Sequence, residues 1–343
     1  MSWSMKTVSY RMAGSGSWKN LLSNPVEEKF YSAIYPNGVS LSGLGPDQLK
    51  LISLWKQADI VQVHEGNVLP VGPIMTDSDL VVLKHWFDDI KNAMTTEVKN
   101  HLKEYQKIAS LMTDPALTQE FNNLLTIMIC AHTLDSSIFS SLRQVIMGSY
   151  VDRGRAGDFF FWGYGFEKGP KRIFGFTSYG RYQGESVHVM RSHGLDREKL
   201  KSVLMQNGVL EWIHEKALES EGGKQPREDL SKKRITSLLQ EIHILDAEDP
   251  PRLSIPAFQG PVMVQSGKLY QEISTAVTKR FMEKMDELSR LVTACSFSRC
   301  LSPDVLCMLF HLAYSYAADD LVKEGIIPDF PESAAGEWGV WIH

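Results

Sequence analysis

The sequence predicts a mainly α-helical fold with short β-hairpins (α+β). It also predicts tandem-duplicated units, each followed by long helices, in a two-lobed, pseudo-twofold architecture. Three observations lead there. Apolar residues recur at helical spacing over long stretches, strand-like runs are short and bounded by turn residues, and the chain matches itself in order. Its 343 residues suit two or three domains.

The self-match runs without gaps at a shift of 184, where Leu54 falls on Leu238, Ile60 on Ile244, Leu69 on Leu253 and Ile74 on Phe258. At 179, Ile127 falls on Leu306, His132 on His311 and Leu142 on Leu321, and at 176 Trp162-Gly163 falls on Trp338-Gly339. A declining shift is what small deletions in a second copy produce. The domains follow: an N-terminal extension over 1–20, a first lobe over 21–166, a bridge over 167–203 and a second lobe over 204–343. Two related lobes in one chain commonly imitate a homodimer.

In the first lobe, Val26, Phe30 and Ile34 give a helix over 25–34 with Pro25 at its start. Pro36-Asn37-Gly38 is a turn. Gly45-Pro46-Asp47 opens a second helix with Leu49, Ile52, Leu54 and Trp55 as its apolar face, ending near Ala58. Two strands, 60–64 and 68–71, flank a hairpin turn at Glu65-Gly66-Asn67. Asp77-Ser78-Asp79 caps a long helix with Leu80, Leu83, Trp86, Phe87, Ile90 and Met94 on one side, running to about Ile108. A further helical run covers 121–147.

The second lobe repeats the order. Helices are expected over 204–218 and 231–245, a mobile loop over 219–229, a turn over 246–251 and a strand over 252–258. Long helical runs follow over 269–292 and 303–324. Helices of this length suit bundles or a homodimer stalk.

Helix, helix, then hairpin, over 47–74 and again over 231–258, resembles the winged helix-turn-helix superfamily in pattern. The resemblance covers about 100 residues in all and identifies no single family within it. It implies a regulatory protein, a transcriptional regulator binding duplex DNA, with the later helix in the major groove and the hairpin on the backbone. In the second copy that helix carries Lys232, Lys233 and Arg234 in its first turns. The first copy departs from the pattern: its helix offers only Lys50 and Lys56, and its hairpin carries Glu65 and no cation. Many winged helices are protein-interaction modules, so a protein partner is equally implied.

Between the lobes, ten aromatics lie within 158–182, interleaved with glycines. Strands joined at 168–171 are expected there. The stretch 151–191 has a net charge of +3 while the whole chain has −5. Two readings stand side by side. In one, Lys168, Lys171, Arg172 and Arg181 contact phosphates while rings stack on bases. In the other, Trp162, Tyr164, Phe174 and Tyr179 form a pocket for a small ligand, or fill the joint between lobes, in a non-catalytic scaffold.

The acidic balance excludes a uniformly basic nucleic-acid binder. No GxGxxG, GxxxxGK[ST], HExxH or GxSxG occurs, so no catalytic residue and no cofactor is assigned. An enzyme without short motifs remains a third class. Four cysteines without a CxxC give no disulfide scaffold and no zinc site, so no metal is expected. His132 and His311 either meet at the pseudo-twofold axis or are buried, hydrogen-bonded core residues. His188 and His193 flank Arg191 in the bridge, and Asp88-Asp89 and Asp319-Asp320 read as solvated helix faces. The N-terminus has no apolar stretch long enough for a signal peptide, and the apolar run 124–134 is too short to span a bilayer. A cytoplasmic protein without membrane contact is therefore expected.

Overall fold

A computed structural model describes residues 4–9, 25–113, 115–116, 118–144, 159–171, 188–191, 202–204, 206–219, 230–241, 244–248, 250–253, 257–258, 260–300, 302–329 and 338–341. Two compact units emerge. Unit 1 comprises Met1–Thr95, Phe139–Ile173 and Ala276–Asp319; unit 2 comprises Thr96–Ile138, Phe174–Thr275 and Asp320–His343. Each unit thus draws on both of the expected lobes. The fold is mainly α with small sheets.

Strand β1 (Ser4–Ser9) lies in the stretch expected to be an extension. Helix α1 (Pro25–Ile34) starts on proline and carries Glu27 and Glu28 in its first turn, where the helix dipole favours carboxylates. After β2 (Val39–Ser40) and a 3₁₀ turn (Leu41–Gly43) comes α2 (Pro46–Gln57). Its start is closed by the Gly45 N–H, which donates to Gln48 Oε1 at 3.0 Å. The hairpin is β3 (Val61–His64) and β4 (Asn67–Pro70). It turns on Glu65 and Gly66, at φ +50° and +76°. Two successive positive φ values make the tight turn whose twist matches a hairpin. The sheet order is β2-β4-β3, antiparallel throughout.

The core beneath is built by Tyr31, Ile52, Trp55, Ile60, Val68 and Phe161. Leu49 and Leu54, expected on the same buried face, are instead 41% and 42% exposed. At about 100° per residue Leu49 and Leu54 fall on opposite flanks of the stripe that Ile52 and Trp55 bury. Gly72 is needed here, because a Cβ would stand 2.1 Å from the Phe161 ring. Its N–H donates to the Tyr31 hydroxyl at 3.0 Å.

Strand β5 (Ile74–Thr76) leads into α3 (Asp77–Asn100), which breaks at His101 before α4 (Leu102–Ala109). The expected apolar face of α3 is buried from Leu80 to Val98. The next run is α5 (Thr118–Thr126), an 11-residue π-helical stretch (Ile127–Ser137) and α6 (Ile138–Leu142). Strand β6 (Phe159–Gly165) is central in unit 1, antiparallel to β1 and parallel to β5.

Then come β7 (His188–Arg191), α7 (Val209–Glu219) and α8 (Leu230–Glu241). The loop expected over 219–229 lies almost wholly outside the described residues. The strand expected over 252–258 reduces, among the described residues, to a bridge between Leu245 and Leu253 and to β8 (Ala257–Phe258). Helix α9 (Gly260–Glu283) breaks at Lys284 before α10 (Met285–Val292); α11 (Ser302–Lys323) and β9 (Trp338–Trp341) follow.

In unit 2, β9 is antiparallel to β7 and parallel to β8. Strand order and senses are those of β1-β6-β5. Met5 opposes Gly163 and Met190 opposes Gly339; Lys6 opposes Trp162 and Arg191 opposes Trp338. The helices correspond too. Starts of α1 and α7, and of α2 and α8, are 184 residues apart; those of α3 and α9, and of α4 and α10, are 183 apart. Lengths are 10 and 11, 12 and 12, 24 and 24, and 8 and 8.

Two stretches, Phe121–Leu142 and Pro303–Lys323, are long and apolar enough to cross a bilayer by length and composition. They are 67% and 78% buried within the fold, as core helices are.

Candidate functional site

Helix α8 presents the cations expected to face nucleic acid. Lys233 and Arg234 are exposed. Lys232 is held internally: its ammonium bonds Glu215 at 2.7 Å and lies 4.5 Å from the centre of the Trp212 ring. Lys216 takes the same ring at 4.8 Å, and Trp212 Nε1 donates to Thr236 Oγ1 at 3.1 Å. Glu215 pairs with the Lys232 charge, and the face of the Trp212 ring attracts it, within unit 2. The matching helix α2 exposes Lys50, Ser53 and Lys56 beside Leu49 and Leu54.

The turn after β6 carries Lys168 and Lys171, both exposed. Two aspartates fix this turn, one read from sequence as part of a helix cap and the other as a solvated face. Asp77 accepts the Glu167 and Lys168 N–H groups at 3.0–3.1 Å, and Asp319 accepts that of Lys171 at 2.7 Å. Asp89 likewise holds Lys284 and, at 3.7 Å, Arg280. Arg172, Arg181, Phe174 and Tyr179 lie outside the described residues.

Trp162, assigned to a pocket, is 1% exposed. Its ring packs 5.8 Å from His311 and 6.2 Å from Tyr164, which stacks on Phe166 at 5.0 Å. Residues 162 and 164 share one face of the strand and Phe166 follows just past its end, so the aromatics form a ladder from the core to the turn. Asp304, at the start of α11, fixes the strand by accepting the Phe161 N–H at 2.9 Å.

His311 is buried in unit 1 beside Phe139 and Phe310. Its Nδ1–H donates to the Cys307 carbonyl at 2.8 Å. Burial pushes its pKa down to about 4, so the ring is neutral. His132 is buried in unit 2 against Phe258 and Tyr270, at 4.7 and 5.3 Å. Of the two readings of this pair, the core environment describes each ring. Among the described residues no three ligating side chains gather to hold a metal ion. His188 and Arg191 fall on β7, while His193 lies outside the described residues.

Sequence reasoning treated Asp79 only as a helix cap. It is 2% exposed and binds a distant loop. Oδ1 accepts the Ser296 N–H at 2.8 Å; Oδ2 accepts Ser296 Oγ–H at 2.8 Å, Thr76 Oγ1–H at 2.6 Å and Thr76 N–H at 3.0 Å. Tyr35 hydroxyl lies 3.2 Å from Ser296 Oγ. The Thr76-to-Asp79 half is a capping box legible in sequence; the Ser296 half is 217 residues away. Beside it, burial and the Asp79 charge push the Cys295 thiol up to about 12, which makes it a poor nucleophile.

Burial is the largest cause of the raised Tyr35, Tyr105, Tyr270, Tyr316 and Cys295 values and of the lowered His311 value. Each of these groups is held neutral. Such shifts mark core positions, and none of these groups is poised near neutral pH for acid–base work.

Family models, curated proteins and solved structures yield no match to this chain.

Proposed function

We propose that this is a non-catalytic regulatory protein built from two winged-helix-like units, one of which contacts duplex DNA through the exposed face of α8. One observation carries the reading. The order α1, β2, 3₁₀ turn, α2, β3, β4, with sheet order β2-β4-β3, resembles that of a winged helix-turn-helix, and α8 stands where α2 does at a shift of 184. We infer that the two stretches are copies of one unit. Lys233 and Arg234 are then the cations that reach phosphates, with Lys168 and Lys171 as a second exposed pair. The two apolar helices belong to the core, which suits an aqueous, cytoplasmic setting without membrane contact. Long helices α3 and α9 meet inside unit 1, Trp86 touching Phe281 edge-on at 5.1 Å, so those apolar faces are spent within the chain before any homodimer.

Fluorescence anisotropy of labelled duplex DNA at several salt concentrations tests this. Binding should weaken linearly in log–log form with salt, and K233A/R234A should flatten the slope by roughly 2. No binding at low salt, or an unchanged slope in the double variant, removes the DNA reading.

A second reading has its own observation. Two exposed leucines on α2, with Asp47, Asp59 and Glu65 nearby in sequence, suit a protein partner better than phosphates. L49A/L54A should then abolish co-purification with that partner while leaving DNA binding intact.

A further inference from the structure

Two helix breaks stand at matching places in the two halves, and they carry different cations. Lys284 ends α9 and bonds Asp89 of α3, with Glu287 at 2.9 Å as its second carboxylate. His101 ends α3 and faces Glu272 of α9, its Nε2 3.5 Å from Oε1. A shift of 183 carries His101 onto Lys284 and Asp89 onto Glu272. The same cation–carboxylate clasp therefore occurs in both units, permanently charged in unit 1 and titratable in unit 2.

Geometry says which proton of His101 comes and goes. Nδ1 stands 2.9 Å from the Glu97 carbonyl. A carbonyl only accepts, so Nδ1 keeps its hydrogen in either state. The second proton then sits on Nε2, aimed at Glu272.

We propose that His101 is a proton-controlled latch at the α3–α4 joint of unit 2, closed by the charged ring bridging α3 to Glu272 of α9 and loosened when Nε2 loses its proton. The charged groups acting on the ring are Glu97 from α3 itself, 3.8 Å from Nδ1, and Glu272 from α9. Lys99, the next cation along α3, is paired with Glu324 at 2.5 Å. Burial alone lowers the ring's pKa, but the Glu97 carbonyl and Glu272 outweigh it and the net shift is upward. A raised folded-state pKa gives stability that is complete below the unfolded value and lost as pH rises through the folded one. The Glu272 side chain is 72% exposed against 19% for His101, so solvent screening at the carboxylate keeps the effect modest. Nothing in this latch depends on the DNA reading.

Hydrogen exchange on the full-length protein between pH 5.5 and 8, expressed as protection factors corrected for intrinsic rates, tests it. Protection over 102–109 should fall roughly two- to fivefold as pH rises, the range of a screened ion pair. Protection over 285–292, behind Lys284, should stay level. His101→Lys should hold 102–109 at the low-pH level, and His101→Gln at the high-pH level. A flat wild-type profile, or a slope that survives in His101→Gln, overturns the proposal.

Discussion

His311 and Asp79 show how single buried polar groups hold this fold. His311 is neutral because burial outweighs its hydrogen bond to the Cys307 carbonyl, and its pKa is down at about 4 from an ordinary 6.5. Between these values the unfolded chain takes up a proton that the folded protein refuses. This stability is complete above about pH 6.5 and is lost as pH falls toward 4, by roughly 3 kcal/mol at most. Urea unfolding at pH 7 and pH 4.5 should show that loss in the wild type and a smaller one in His311→Gln; equal losses would contradict it. Asp79→Ala leaves the Thr76 and Ser296 donors without their acceptor. It should cost about 2–4 kcal/mol, read as a lower urea midpoint, whereas Asp88→Ala on exposed α3 surface should change it little. Residue chemistry was only partly legible in sequence. Lys232 reads as a surface cation because nothing local announces Glu215 and Trp212, which stand on another helix.

At the scale of elements, α1, α2 and the hairpin were legible because their causes are local. Pro25 and Pro46 start the helices, and Glu65-Gly66 makes the turn. Gly66→Ala should cost about 1 kcal/mol, because alanine resists the positive φ; an unchanged thermal midpoint would contradict the turn assignment. Strand β1 was not legible. Its partner β6 stands more than 150 residues away, as in the pair Met5 and Gly163, and Ser4–Ser9 has no apolar pattern to declare it. The helix breaks at His101 and Lys284 were missed because the apolar periodicity runs through both. The π-helical stretch from Ile127 to Ser137 was also missed, since widened turns leave the residues just as apolar. The role of α2 was misjudged in detail: Leu49 and Leu54 read as core by spacing and stand exposed.

For the whole molecule, the self-match foresaw corresponding elements, and the two halves share element lengths and the strand order of one sheet. What the sequence did not reveal is that each compact unit mixes both halves. That depends on which partner each long helix finds, and amphipathic periodicity is silent on partners. The clasp falls on matching positions: a shift of 183 carries His101 onto Lys284 and Asp89 onto Glu272, and each cation meets the other helix's carboxylate. The functional reading rests on this correspondence, since it puts α8 in the place of α2 and leaves Lys233 and Arg234 outward. Hydrogen exchange of the full-length protein with and without saturating duplex DNA measures that claim most directly. Slower exchange concentrated in 230–241, with 46–57 unchanged, is the predicted result. Unchanged exchange in 230–241 under conditions where DNA is bound, or no binding at all at low salt, would contradict it.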